Sequence, residues 1–108
     1  MAKFNVKTDA KGELRFNLVA DNGQAVLSSE GYKAKASLLN GIESVRKHAV
    51  DEKYFEVKEA ANGKHHFNLK ASNGQVIGTS QMYADKSGLE NGIKSVMKNA
   101  PDAELVEV

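Results

Sequence analysis

Apolar positions along this chain follow two periods, and the whole order of periods is written twice. Lys3–Lys7 alternates, with Phe4 and Val6 on one side, and Glu13–Ala20 alternates over Leu14, Phe16, Leu18 and Ala20. Alternation at period two marks a half-buried strand, so each stretch predicts one. A third strand is predicted from Gln24 to Ser29. Then the period changes. Leu38, Ile42, Val45 and Ala49 are spaced four, three and four apart, one apolar stripe on a helix from Lys35 to His48. The pattern returns at a constant offset and without a gap: Phe4 recurs as Phe55, Phe16 as Phe67, Asn22 as Asn73 and Ile42 as Ile93. About half of the aligned positions are identical, which identifies a duplicated supersecondary unit.

The second copy predicts strands at Tyr54–Lys58, His65–Ala71 and Val76–Ser80, then a helix from Lys86 to Asn99. Leu89, Ile93, Val96 and Ala100 form its stripe; Asp85 is placed to cap its start and Pro101 to stop it. Between strands, Asp21-Asn22-Gly23-Gln24 and Ser72-Asn73-Gly74-Gln75 predict tight hairpins of type I′. Gly41 and Gly92 lie on the apolar sides of the helices, where glycine costs about 1 kcal/mol relative to alanine. Their recurrence predicts a close approach, to the sheet or to the other helix.

Tyr54–Lys58 aligns with two segments. It matches Phe4–Lys7 as the first strand of copy two, and Leu105–Val108 as the strand that follows a helix. Tyr54–Val57 and Leu105–Val108 are therefore expected at equivalent places about a pseudo-twofold axis. The whole reads βββα-βββα-β: class α+β, one mostly antiparallel sheet with both helices on one face. One domain over 1–108 is expected, with repeats over 3–53 and 54–108.

Composition narrows the functional classes. Fifteen basic residues against fourteen acidic give a net charge of +1, unlike the clustered cations of a nucleic-acid binder. With no cysteine there is no thiol nucleophile and no thiolate ligand. No apolar run suits a membrane span, and MAKFNVKT lacks a signal peptide's apolar stretch, so a cytoplasmic protein is expected. His65 and His66 are adjacent on a strand and point to opposite faces, so no shared metal is expected, and no cofactor signature is present. The recurring Ser29 and Ser80 have no recurring histidine beside them, which argues against a duplicated triad.

The blocks Phe16–Gln24, Ser29, Tyr32 and Asn40–Ala49, written again as Phe67–Gln75, Ser80, Tyr83 and Asn91–Ala100, resemble the YegP-like family of small bacterial proteins of unknown function. The resemblance covers nearly the whole chain. It implies a pair of βββαβ units in one sheet with exchanged C-terminal strands. His65-His66 departs from the family pattern, in which an aromatic such as tyrosine is more usual.

The expected role is a non-catalytic binding module, for a small anion or a protein partner. A nucleic-acid accessory protein and a hydrolase with an asymmetric site are the alternatives. Because two repeats already form an internal pair, a monomer is expected. Ser29, Tyr32 and Lys35 precede helix one as Ser80, Tyr83 and Lys86 precede helix two. Beside the exposed N–H groups of a helix start, a hydroxyl, a phenol and an ammonium form a candidate anion site, twice over.

Overall fold

A computed structural model describes residues 2–107. It contains β1 (Lys3–Thr8), β2 (Leu14–Val19), β3 (Ala25–Ser28) and α1 (Lys35–His48), then β4 (Phe55–Glu59), β5 (His65–Lys70), β6 (Val76–Thr79), α2 (Lys86–Asn99) and β7 (Glu104–Glu107). Single 3-10 turns follow each helix, at Glu52–Tyr54 and Ala100–Asp102. Both α-helices fall on the residues their apolar stripes predict. Val108, expected in the last strand, lies outside the described residues.

The strands form one mixed sheet of seven in the order β4-β5-β6-β3-β2-β1-β7. Every pairing is antiparallel except β1 with β7. The copies meet at β3 and β6 through the pair Ser28↔Thr79. Helix α1 rests on β2, β5 and β6, and α2 on β3 and β5, so each helix binds both copies together. One core results, with Phe4, Phe16, Leu18, Phe67 and Leu69 of the sheet against Leu38, Ile42, Val45, Leu89 and Val96 of the helices. Ile93 is packed at its margin. At the join the symmetry breaks for a steric reason. Leu27 is buried, and a Cβ on its counterpart Gly78 would lie 2.6 Å from Leu27 Cδ2, so two large side chains cannot share that spot.

The exchange of C-terminal strands is present, because α1 leads to β4 beside β5 of copy two and α2 leads to β7 beside β1 of copy one. The two places are nevertheless inequivalent, which corrects the expected symmetry. β4 runs antiparallel to β5 as β1 does to β2; β7 runs parallel to β1 on its outer side. One strand cannot be both the first strand of its own copy and an outer strand beside it. The position beyond β4 that would match β7 holds no strand among the described residues.

The hairpins also differ from type I′, which needs positive φ at both central residues. Gly23 has φ 85° and Gly74 φ 85°, but no non-glycine has positive φ. The Gly23 amide donates to Ala20 O at 2.9 Å and the Ala20 amide to Gln24 O at 2.9 Å, a type I turn closed by a bulge glycine. Asn22 stays right-handed and uses its side chain, accepting from the Gln24 amide at 3.0 Å. The first hairpin does this with Asp9, whose carboxylate accepts from the Lys11 and Glu13 amides at 2.9 and 3.0 Å. The hydrogen bond from Arg15 to Asp9, 2.8 Å, holds that carboxyl below its usual pKa.

The helix glycines approach an aromatic ring. A Cβ on Gly41 would lie 2.5 Å from the Tyr32 hydroxyl oxygen and 2.9 Å from Tyr32 Cζ. The Tyr32 ring is stacked 6.3 Å from Phe16, which backs it, and Tyr83 lies under Gly92 in the same way. Gly41→Ala should therefore destabilise by about 1–3 kcal/mol through overpacking, although alanine favours helix. In a Tyr32→Phe background, which removes the nearest atom, the loss should shrink. Denaturant midpoints of the double-mutant cycle check this; additive losses would contradict it.

Candidate functional site

The residues leading into each helix are brought together, but mostly turned toward the chain's own needs. Ser29 is 6% exposed; its hydroxyl accepts from the Phe16 amide at 2.9 Å and donates to Glu30 O at 2.8 Å. Ser80 repeats this with the Phe67 amide at 2.9 Å and Gln81 O at 2.8 Å. Each serine thus takes up a strand amide where the hairpin ladder ends. Tyr32 and Tyr83 exchange backbone hydrogen bonds with Leu14 and His65, and their rings stack on Phe16 and Phe67 beneath the helices. Burial raises the Tyr32 phenol's pKa.

The lysines differ between copies. Lys35 forms an ion pair with Glu107 of β7, whereas the Lys86 side chain has no ion pair among the described residues. The helix starts differ too. Ala34 offers α1 no side-chain cap, while Asp85 accepts from the Gly88 amide at 2.8 Å and sets a carboxylate at the start of α2.

The histidines are dispersed. His48 is 5% exposed; its Nδ1 contacts Ser44 O at 2.8 Å, and its Nε2 accepts from the Ser72 amide at 3.1 Å. Its ring meets Tyr54 edge-on at 4.7 Å. His48 therefore bridges α1 to the β5–β6 hairpin and fills the space between them. His65 and His66 sit side by side in β5, and His66 Nδ1 is buried without a protein partner.

The recurring Asn17 and Asn68 belong to the sheet face opposite the helices. Cross-strand registers place Asn5, Asn17, Ser28, Thr79, Asn68 and Glu56 in one row. Within it the Thr79 hydroxyl donates to Asn68 Oδ1 at 2.9 Å, and Glu56, its pKa lowered by a hydrogen bond from Lys70, ends the row.

The place equivalent to His48 in copy two is open. An open groove of about 350 Å³ lies between α2 and the β2–β3 hairpin, lined by Ala20, Asp21, Asn22, Asn91, Lys94, Ser95, Lys98 and Asn99. Asn99 stands where α1 has His48, and its amide turns back onto Ser95 O at 2.9 Å and Ser95 Oγ at 3.1 Å instead of reaching the hairpin. Lys94 stands where α1 has Glu43. Two ammonium groups one helical turn apart thus share a concave surface with three amides, a hydroxyl and one carboxylate. Most of the lining recurs, Asn22, Asn91, Ser95 and Lys98 as Asn73, Asn40, Ser44 and Lys47, so reading the residues that recur does not single this groove out. The changes Glu43 to Lys94 and His48 to Asn99 are the sequence signal for it.

Two stretches, residues 9–56 and 60–107, match the family model described as Domain of unknown function (DUF1508). The chain belongs to the DUF1508 family. Among DUF1508 relatives it is 53% identical over 105 residues to a UPF0339 protein from Stutzerimonas stutzeri, covering 97% of this chain and 95% of the relative. The solution NMR structure of yegP from E. coli, titled a protein of unknown function, superposes with a TM-score of 0.93 at 42% identity, covering 98% of this chain and 91% of that one. That of a UPF0339 protein from Shewanella oneidensis gives 0.93 at 40% identity, with 98% and 90% covered. The tandem DUF1508 repeat and its α+β sheet are thereby common to this chain and its relatives, and their titles carry no activity.

The buried serines give a direct test of their local duty. Ser29→Ala or Ser80→Ala leaves a buried strand amide without its acceptor and should cost about 1–3 kcal/mol. Urea midpoints measure this; values unchanged in both variants would contradict the assignment.

Proposed function

We propose that this DUF1508 chain is a non-catalytic binding module whose α2 groove takes a small anion such as phosphate or a carboxylate. The observation that supports this reading most is the pairing of Lys94 and Lys98 on one wall of a concave surface whose other polar groups are neutral, except for the single carboxylate of Asp21. Two lysines supply charge without fixed orientation, which suits a small anion of variable geometry. Asn22, Asn91 and Asn99 carry amides that donate or accept, and Ser95 adds a hydroxyl. The proposal gives one site per chain, since Glu43 and His48 stand in the other half where Lys94 and Asn99 stand here.

The helix starts supply less to this role. Their serine hydroxyls and tyrosine rings are engaged, Lys35 faces Glu107, and the Asp85 carboxylate would repel an anion at α2. Against catalysis stands the burial of the one serine–histidine contact: Ser44 Oγ lies 3.2 Å from His48 Nδ1, but His48 is only 5% exposed. Ser29 and Ser80 bond backbone, and both nitrogens of His48 are occupied by Ser44 and Ser72. Among the described residues no helix is long and apolar enough to cross a membrane. The module works as a monomer in the cytoplasm, its two repeats forming the internal pair.

Titrating inorganic phosphate while following backbone amides tests the reading. The amides of 91–99 and of Asn22 should shift together, and Lys94→Ala with Lys98→Ala should weaken the response at least about tenfold, each lost charge-assisted contact costing about 1.5–3 kcal/mol. An unchanged response in the double variant would remove the groove. Shifts at 32–38 and 83–89 in its place would move the site to the helix starts.

A further inference from the structure

The edge of the sheet formed by β4 stands in unequal relation to its counterpart. β1 and β4 are equivalent strands of the two copies, and each pairs with its neighbour in the same antiparallel register. On the outer side of β1 lies β7, in the parallel register Lys3↔Glu104, Phe4↔Leu105, Asn5↔Val106 and Val6↔Glu107. On the outer side of β4 lies no strand among the described residues. Burial records the difference. Phe4 is 0% and Val6 5% exposed; their counterparts are Phe55, half-buried, and Val57, 52% exposed.

Charge records it a second time. Lys35, at the start of α1, is neutralised by Glu107 of the covering strand. Lys86 occupies the same position at the start of α2, and its side chain has no ion pair among the described residues. Exposed edges are commonly blunted by charge, and β4 carries Glu56, Lys58 and Glu59. Glu56, however, pairs with Lys70 at 2.8 Å and with Lys58 at 3.6 Å on the face away from the helices. The helix side of this edge keeps its apolar pair, Phe55 and Val57. Its backbone donors and acceptors remain directed outward.

We propose that β4 is a docking edge for an extended acidic–apolar segment of a partner protein, which adds as an eighth strand parallel to β4. The chemistry of the segment follows from β7. Aligned on β4 as β7 is on β1, it sets an acidic residue beside Tyr54, an apolar one beside Phe55, a neutral one beside Glu56, and a carboxylate beside Val57 within reach of Lys86. Main-chain hydrogen bonds hold such a strand, and the alternate side chains select it. Met97 stands where α1 has Arg46, so the hydrogen bond by which Arg46 holds Ala103 O at 2.8 Å has no counterpart from this position in the other half.

The test uses the whole chain and the capped peptide Pro-Asp-Ala-Glu-Leu-Val-Glu, the sequence of residues 101–107. At millimolar peptide the amides of 54–58 should shift while those of β1 stay fixed. Lys86→Glu should weaken binding about two- to five-fold, as loss of an exposed ion pair does. The peptide carrying Glu107→Lys should show the reverse preference, binding Lys86→Glu better than the unaltered chain. Four outcomes overturn the proposal: no shift at β4, indifference to the charge swap, shifts at β1 that report displacement of β7, or β4 shifts that follow protein concentration without peptide, which would make a second copy the occupant.

Discussion

One strand serves two repeats. β4 follows α1 and also opens the second copy, so the described residues hold seven strands where two full βββαβ units would have eight. Most of what distinguishes the halves follows from that shortage. β7 has β1 to cover, and in covering it buries Phe4 and Val6, receives the Arg46 guanidinium at Ala103 O, and gives Lys35 a carboxylate. No strand does the same for β4, and Val57 and Lys86 are left facing outward. A duplication that began as two equal units folds as an unequal pair because a covalent link and an exchanged strand compete for one position.

The repeated parts hold each half together by the same few contacts. A serine hydroxyl takes the last strand amide, a tyrosine ring stacks on the central phenylalanine, and a glycine lets the helix pass over that ring. These are short-range constraints, and a copied sequence reproduces them faithfully. Where one copy relaxes a contact, a surface feature appears. His48 seals α1 to the hairpin beneath it, and Asn99 leaves the α2 groove open.

Legibility in the sequence follows the same division. Helix limits could be read to the residue, because apolar stripes, Asp85 and Pro101 act locally. The exchange of strands was implied by the family resemblance, and the double alignment of Tyr54–Lys58 agreed with it. Hairpin type was not, since Asn-Gly suits both a type I′ turn and a type I turn with a bulge glycine, and the offset of Ala20 from Gln24 decides between them. The close approach at Gly41 was legible in part: Phe16 of the sheet would lie 3.4 Å from a Cβ there, but the nearest group is Tyr32, from the loop before α1. Ser29 and Tyr32 looked like ligand donors because recurrence marks both duty to a ligand and duty to the fold. Position alone cannot separate the two; their hydrogen-bond partners can.

The central claim is that the two ends of the sheet are unequal, with β1 paired on both sides and β4 on one. Amide hydrogen exchange, residue by residue, measures this without a ligand. Phe4, Asn5 and Val6 should all be protected, while protection along β4 should alternate, the outward amides exchanging fast and those facing β5 slowly. Uniform protection from Phe55 to Glu59 would contradict the account, because it would mean that the outer edge of β4 is already filled.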